Sequence, residues 1–329
     1  MVKVQYSVYK KETGSAGGKA KNDIYDIAQE MGFEPSYNPS GKRFIRVIQQ
    51  LLSMKKTCKA DVLLVQYPAI DKRIMEVLVK HMNPEGIRIA IIHDLPSIQG
   101  MDNGNKLLEI EQLSHFNYLI VHNAKMEAYL RKQGYVGNIV QLKLFDYLHD
   151  INRPITESKF NRTISIAGNL KKGKYILDLG KIDSCDFDLF GIKGDMDFSN
   201  IQNAHYRGML SSDEIEYKLS GDYGLIWDGD SLDSCSGVYG QYLKYNNPHK
   251  LSLCMAAGKP VIVWSKAAVA DFVREENIGI CVDSLLDLNN IDLKKDYDTY
   301  KSNVMKIKER VAEGYYFKRA INSIFNTIK

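Results

Sequence analysis

Short, unbroken apolar runs separated by helix-length stretches constrain this chain more than any other feature. DVLLVQYP, around Val62–Gln66, and IRIAIIHD, around Ile87–His93, lack the sustained polar alternation of a half-solvated strand. Strands of that kind are buried on both faces, which is the condition of a parallel sheet covered by helices. Comparable runs occur at Val4–Tyr9 and Tyr118–His122, with helical periodicity near Ala20–Met31, Phe44–Met54, Ile74–His81 and Lys125–Gln133. The spacing predicts an α/β fold.

The alternation stops at HDINRPITESK, a polar, proline-containing stretch around Asp150–Lys159 with no periodicity. It restarts with Thr163–Ala167, Phe187–Phe190, Tyr223–Trp227, Pro260–Trp264 and Ile278–Val282. At 329 residues the chain exceeds the usual size of a single core. Two Rossmann-like, doubly wound halves are therefore expected, one over residues 1–150 and one beginning at 151. Such halves bind ligands at the carboxyl ends of their strands, here in a central cleft.

Composition narrows the function classes. A net charge of +4 is too small to imply nucleic-acid binding. Five cysteines, an odd number with no CxxC spacing, favour reduced thiols and a cytoplasmic setting over disulfides or zinc. The start, MVKVQYSVYKKETG, lacks the apolar run of a signal peptide. No segment approaches the roughly 18 apolar residues needed to span a bilayer. Work at a membrane would be work from its surface, and KRFIRVIQQLLSMKK at Lys42–Lys56 has the basic ends and apolar stripe of an interfacial helix. The same stripe also suits packing on the sheet.

Tyr223–Trp264 reads as strand, polar loop, short helix, strand. Asn247 suits an N-cap and Pro248 the first helical position. His249 and Lys250 follow in the first turn, where the helix dipole disfavours cations unless an anion sits on the exposed N–H groups. Gly258 and Pro260 then end the helix before the apolar run VIVW.

Other candidates also follow strands. GSAGGKAKND at Gly14–Asp23 offers Gly17, Gly18 and Lys19 for close backbone approach to a ligand, but it matches neither GxGxxG nor GxxxxGK[ST]. In IIHDLPSI, His93 and Asp94 have the residue types of a general base and its orienting partner, or of a turn-capping aspartate beside a structural histidine. ISIAGNLKKGK ends in Gly168 and Asn169 and meets Lys171, Lys172 and Lys174, which can clamp phosphate oxygens or lie solvated. WDGDSLDSCSG after Trp227 brings Asp228, Asp230 and Asp233, without the glycine and distant glutamate of an EF-hand. Sugar-hydroxyl recognition is the preferred use of these carboxylates.

The block GLIWDGDS–CSG–YG–YLKYNNPHK–SL, with Ala267–Val273, closely resembles bacterial galactofuranosyltransferases such as the β-1,6 enzymes of enterobacterial O-antigen synthesis. GGKAKND, IIHD, SHFNYLIVHNAKM, the FDYL run at Phe145–Leu148, AGNL and DFDLFG at Asp186–Gly191 extend the resemblance over nearly the whole chain. A more distant similarity is to streptococcal glucosyltransferases that extend O-linked GlcNAc on adhesins.

The resemblance implies a GT-B fold with an N-terminal acceptor domain over residues 1–150. A C-terminal nucleotide-sugar domain would cover 151–312, and a last helix at 313–329 would cross back to the first domain. It implies UDP-galactofuranose as donor, with Lys250 and its helix N-terminus on the diphosphate and Tyr206 and Arg207 near the nucleotide. Many retaining enzymes of this fold carry two glutamates around this helix; here those positions read Tyr245 and Leu253, which fits inverting transfer.

The expected reaction is direct displacement, with Asp94 or His93 as base and the leaving UDP stabilised by Lys250 and by Lys171 or Lys172. No cofactor or metal is required, although Asp228-Gly229-Asp230 has the spelling of the metal-bridging DxD motif. The implied acceptor is a polyprenyl-diphosphate-linked glycan at the cytoplasmic membrane face, for O-antigen or capsule assembly. The adhesin relatives suggest a homo-oligomer. Alternatives are a UDP-glucose or other UDP-hexose donor, a non-catalytic partner subunit, and a sugar-nucleotide epimerase.

Overall fold

The computed structural model describes residues 1–6, 16–36, 43–68, 72–99, 106–156 and 159–328. The end of the first expected strand, Gly14 and Lys42 lie outside them. The chain divides into two compact units, one including Gly17–Leu142 and Gly314–Lys329, the other Lys143–Glu313. The division thus falls ahead of the polar stretch at 150–159. The reason is local: Phe145 and Tyr147 pack their rings on His249, so this segment is committed to the second unit before the polar residues begin.

The first unit contains strands β1 (Lys3–Tyr6), β2 (Glu34–Pro35), β3 (Val62–Tyr67), β4 (Ile87–Ile92), β5 (Tyr118–Val121) and β6 (Asn138–Gln141). Helices α1 (Ala16–Glu30), α2 (Arg43–Thr57), α3 (Lys72–His81), α4 (Lys106–Ser114) and α5 (Ala124–Lys132) connect them. The sheet order is β2-β1-β3-β4-β5-β6, and every pairing is parallel. All six residues of β3 are buried, as its unbroken apolar run requires. Asn123 caps α5, its side chain accepting from Lys125 N and Met126 N.

The second unit contains β7 (Thr163–Asn169), β8 (Asp186–Ile192), β9 (Ala204–Gly208), β10 (Tyr223–Ile226), β11 (Val261–Trp264) and β12 (Gly279–Val282). Its helices are α6 (Ile215–Lys218), α7 (Gly237–Tyr242), α8 (His249–Ala256), α9 (Val269–Glu275) and α10 (Tyr297–Ala312). The order β12-β11-β10-β7-β8-β9, again parallel throughout, is that of a dinucleotide-binding sheet. The direction of winding reverses between β7 and β10, and that reversal opens a crevice at their carboxyl ends. Gly258 stops α8 with φ +64 and donates to Met255 O at 3.0 Å, the left-handed ending foreseen from the sequence.

The last helix, α11 (Tyr315–Ile328), belongs to the first unit. Phe325 stacks on Phe33 with centroids 6.4 Å apart, and Lys318 pairs with Glu30 at 2.8 Å. Arg319 donates to the carbonyls of Gln141 and Leu142 at the end of β6.

Candidate active site

The crevice at the β7–β10 reversal carries the residues that the sequence singled out most strongly. Lys250 lies in the first turn of α8, and its Nζ is 2.7 Å from Asp228 Oδ1 and 3.2 Å from Trp227 O. Both partners sit at the end of β10. Across the reversal, a Cβ placed on Gly168 at the end of β7 would stand 3.5 Å from Lys250 Cε. One lysine therefore bridges the two strand ends between which an anion would enter.

Beside it is a pocket of about 350 Å³, within the range that ligand sites occupy. Its floor is made by a steric device. Gly168 and Gly191 are register partners on β7 and β8, with φ +128 and +130. A Cβ on Gly191 would stand 1.8 Å from Gly168 O, so only glycine permits this approach. Tyr206 donates from its hydroxyl to Gly191 O at 2.9 Å and holds the turn in place.

Sheet order gives the pocket two chemically distinct ends. Toward β10 are Lys250, Gly168 and Asn169; toward β8 and β9 are Phe190, Ile192, Met209 and Leu210. His249 and Leu253 line it from α8, and His249 stacks on Tyr147 with ring centroids 5.1 Å apart. Lys172 also lines the pocket and rests 4.2 Å above the Tyr239 ring. A flat aromatic group in the apolar end and an anion at Lys250 and Lys172 are what this arrangement accommodates.

The geometry corrects the expected cap of α8 and gives the other candidates their places. Asn247 is not the N-cap of α8, because its Nδ2 donates to Lys143 O at 2.8 Å; Pro248 holds the cap position, with no side-chain cap bond. Lys171 lies against Gly194, and its neighbour Lys172 reaches the pocket. Arg207 Nε donates to the buried Asp188 at 2.7 Å, and neither it nor Tyr206 is among the lining residues. Trp227 is a core residue whose Nε1 donates to Ser231 O and whose ring meets Trp264 edge-on; only its carbonyl takes part. Asp230 lies 4.0 Å from Lys174. The apolar wall was not foreseen at all. Its signal was two neighbouring strands, ISIAG and DFDLFG, that each run into a glycine.

In the first unit, His93 and Asp94 follow β4. His93 N extends the ladder by donating to Tyr67 O at 2.7 Å, and its buried ring lies 2.9 Å, through Nε2, from Gln66 Oε1. Asp94 Oδ1 accepts from Gln99 Nε2 at 2.5 Å. Each side chain thus has a partner besides its neighbour, which leaves both sequence readings, a base with its orienting partner and a turn-capping aspartate beside a structural histidine, in place. His122, at the end of β5, donates from Nε2 to Ile92 O at 3.0 Å, and burial pushes its ring down to about 4. Gly17 and Gly18 are not loop residues but the first turn of α1. Lys19 is held in a buried ion pair with Asp23 one turn on, at 2.6 Å.

Comparison with known proteins agrees with this architecture. Residues 6–144 match the family described as glucosyltransferase 3-like, N-terminal domain, and residues 164–324 match its C-terminal domain. The chain is 32% identical to the beta-1,6-galactofuranosyltransferase WbbI of Escherichia coli over 95% of this chain and 96% of that protein. It is 24% identical to Glucosyltransferase 3 of Streptococcus gordonii over 92% of each. Among solved structures, Anabaena HepE in complex with UDP superposes with a TM-score of 0.62 at 12% identity, over 99% of both chains. The structural neighbours are GT-B glycosyltransferases, and the chain is an enzyme of that class. With both of its domain families matched in order along most of its length, this chain belongs to the glucosyltransferase 3-like glycosyltransferases.

Proposed function

We propose that the chain is an inverting, metal-independent galactofuranosyltransferase that moves galactofuranose from UDP-galactofuranose to a sugar hydroxyl of a polyprenyl-diphosphate-linked glycan. The observation that carries the nucleotide part is Lys250 bridging the ends of β7 and β10 beside a pocket with one apolar and one cationic end. Uracil would occupy the wall of Phe190, Ile192, Met209 and Leu210. The diphosphate would meet Lys250, Lys172 and the first turn of α8, where backbone N–H groups and the helix dipole favour an anion. The furanose donor rests on the identity to the Escherichia coli enzyme.

As the bond to the anomeric carbon breaks, negative charge develops on UDP, and the two lysines neutralise it. Asp228 is turned toward Lys250, which supports a role in holding that lysine rather than in bridging a divalent ion with Asp230. Leu253 lines the pocket with no carboxylate to offer, in keeping with single displacement. The base comes from the strand end carrying His93 and Asp94, so the first unit takes the acceptor and the second the donor.

A lipid-linked acceptor places the enzyme on the cytoplasmic face of a membrane. Among the described residues no helix is long and apolar enough to cross one. Helix α2 contains no acidic residue, ends in Lys55 and Lys56, and exposes Ile45 (48%), Ile48 (42%) and Leu52 (60%), which suits contact with an anionic lipid surface.

The deciding experiment measures UDP release from UDP-galactofuranose and from UDP-glucose, each with and without a synthetic galactosyl or glucosyl lipid. Acceptor-dependent turnover with the furanose alone is the expected result. Turnover with UDP-glucose alone would replace the donor and keep the chemistry. Silence with both, despite UDP binding, would favour a non-catalytic subunit.

A further inference from the structure

Asp228 follows β10 on a turn with little room to move. Trp227, before it, is a core residue whose Nε1 donates to Ser231 O at 3.0 Å. Gly229, after it, has φ +120, and a Cβ there would stand 2.4 Å from Ser236 O. A Cβ on Gly240, in α7, would likewise meet Asp228 O at 2.9 Å. The backbone of this turn is therefore packed against the segment that leads into α7, and its short carboxylate stays where the turn puts it.

Its partner is built the other way. Lys250 carries its charge on a flexible four-carbon stem. In the free protein Nζ gives one N–H to Asp228 Oδ1 at 2.7 Å and one to Trp227 O at 3.2 Å. An ammonium has three donors, so a third remains for a phosphate oxygen. Both side chains are mostly sheltered, 23% and 19% exposed, so solvent screens this pair less than it would a surface pair. When an anion arrives the lysine can turn toward it, and the carboxylate cannot withdraw.

We propose that Asp228 is a product-release residue, a fixed carboxylate that competes with the diphosphate for Lys250 and disfavours UDP more than it disfavours the donor. This rests on the reading of Lys250 as the residue that meets the diphosphate. In the donor that diphosphate is esterified at both ends. When the bond to the anomeric carbon breaks, its electron pair leaves on UDP, whose free terminal phosphate carries a further negative charge above about pH 6. Lys250 alone would hold this more highly charged product more tightly than the donor, and the enzyme would be inhibited by what it makes. Asp228, beside the same ammonium, repels the added charge and offsets that gain. The pair thus neutralises the leaving group without trapping it.

The test is titration calorimetry of the full chain in EDTA with UDP, with UDP methylated on its terminal phosphate, and with uridine. The methyl ester has the donor's charge and no sugar, so the result does not depend on which sugar the donor carries. The wild type should bind UDP only a few-fold more tightly than the methyl ester; a preference of about tenfold or more would overturn the proposal without any variant. Asp228→Asn keeps an oxygen facing Lys250 and removes the charge. It should bind UDP about tenfold more tightly, since a charge-assisted hydrogen bond is roughly twice as strong as the neutral one that replaces it. The methyl ester should gain less, uridine should bind as in the wild type, and UDP dissociation, followed by surface plasmon resonance, should slow by a similar factor. Unchanged or weaker UDP binding in Asp228→Asn, where Lys250→Met still weakens it, would overturn the proposal and leave Asp228 as a support for the lysine. Equal gains for UDP and its methyl ester would also overturn it. UDP affinity unaltered in Lys250→Met would instead remove the diphosphate from Lys250, and the reading beneath the proposal would fail with it.

Discussion

Replacing Lys250 with methionine keeps most of the side chain's length and removes its charge. In the free protein Lys250 Nζ is satisfied by Asp228 Oδ1 at 2.7 Å and by Trp227 O. A diphosphate at the β7–β10 crevice would share the ammonium with Asp228 rather than meet a bare cation. The full attraction of a unit charge pair at 4 Å, about 4 kcal/mol at an effective dielectric of 20, is therefore too generous. A charge-assisted hydrogen bond of about 1.5–3 kcal/mol is the better measure, and it corresponds to UDP binding weaker by about tenfold to 150-fold. Titration calorimetry with UDP measures this directly. Uridine, which lacks the phosphates, should bind wild type and variant alike and so reports whether the apolar end has survived. UDP affinity within about twofold of wild type would refute the placement of the diphosphate at Lys250 and move the anion to Lys172.

Four further outcomes are expected. Gly191→Ala should lower stability by at least about 1–3 kcal/mol in denaturant titration, since the new Cβ meets Gly168 O at 1.8 Å at a φ of +130; Gly17→Ala, with nothing within 4 Å, should instead be neutral or stabilising by up to about 1 kcal/mol. The buried His122 stays neutral in the fold down to about 4 while its unfolded counterpart protonates near 6.5. Its contribution is therefore complete above pH 6.5 and is lost as pH falls from there to about 4, on the order of 3 kcal/mol in all; His122→Gln should flatten that part of the stability–pH curve. Transfer should survive excess EDTA, and loss rescued only by manganese would reinstate Asp228 and Asp230 as metal ligands. Leu52→Asp should abolish co-sedimentation with anionic vesicles and leave turnover on a soluble acceptor intact.

How far the sequence reveals the fold depends on where each element sits. Strands β3, β4, β10 and β11 are read from their residues because burial on both faces leaves an uninterrupted apolar run. Strands β2, β6 and β9 do not show in the same way, because they are short or largely exposed edge strands that lack an uninterrupted apolar run. In β9 the half-exposed Tyr206 and Arg207 stand out by residue type, but the sequence does not show that one also pins a glycine and the other also neutralises Asp188. At the site, Asn-Pro-His-Lys correctly marks the start of α8, since a basic first turn contradicts the helix dipole and needs a reason. The role of Asn247 is hidden because its partner, Lys143, lies 104 residues away. Phe190, Ile192, Met209 and Leu210 are ordinary apolar residues one by one. Only the order β7-β8-β9 makes them a wall.

The placement of α11 has a consequence for the order in which this chain can be made. The first unit holds Gly17–Leu142, yet Phe317, Ile321 and Ile324 of its last helix are buried within it. While the ribosome is still translating, those residues arrive after all of Lys143–Glu313. The unit that holds Gly17–Leu142 is thus finished only after Lys143–Glu313 has been made, and until then the surface that receives α11 is open. A nascent chain stalled before Gly314 holds a second unit that is complete and a first unit that is not.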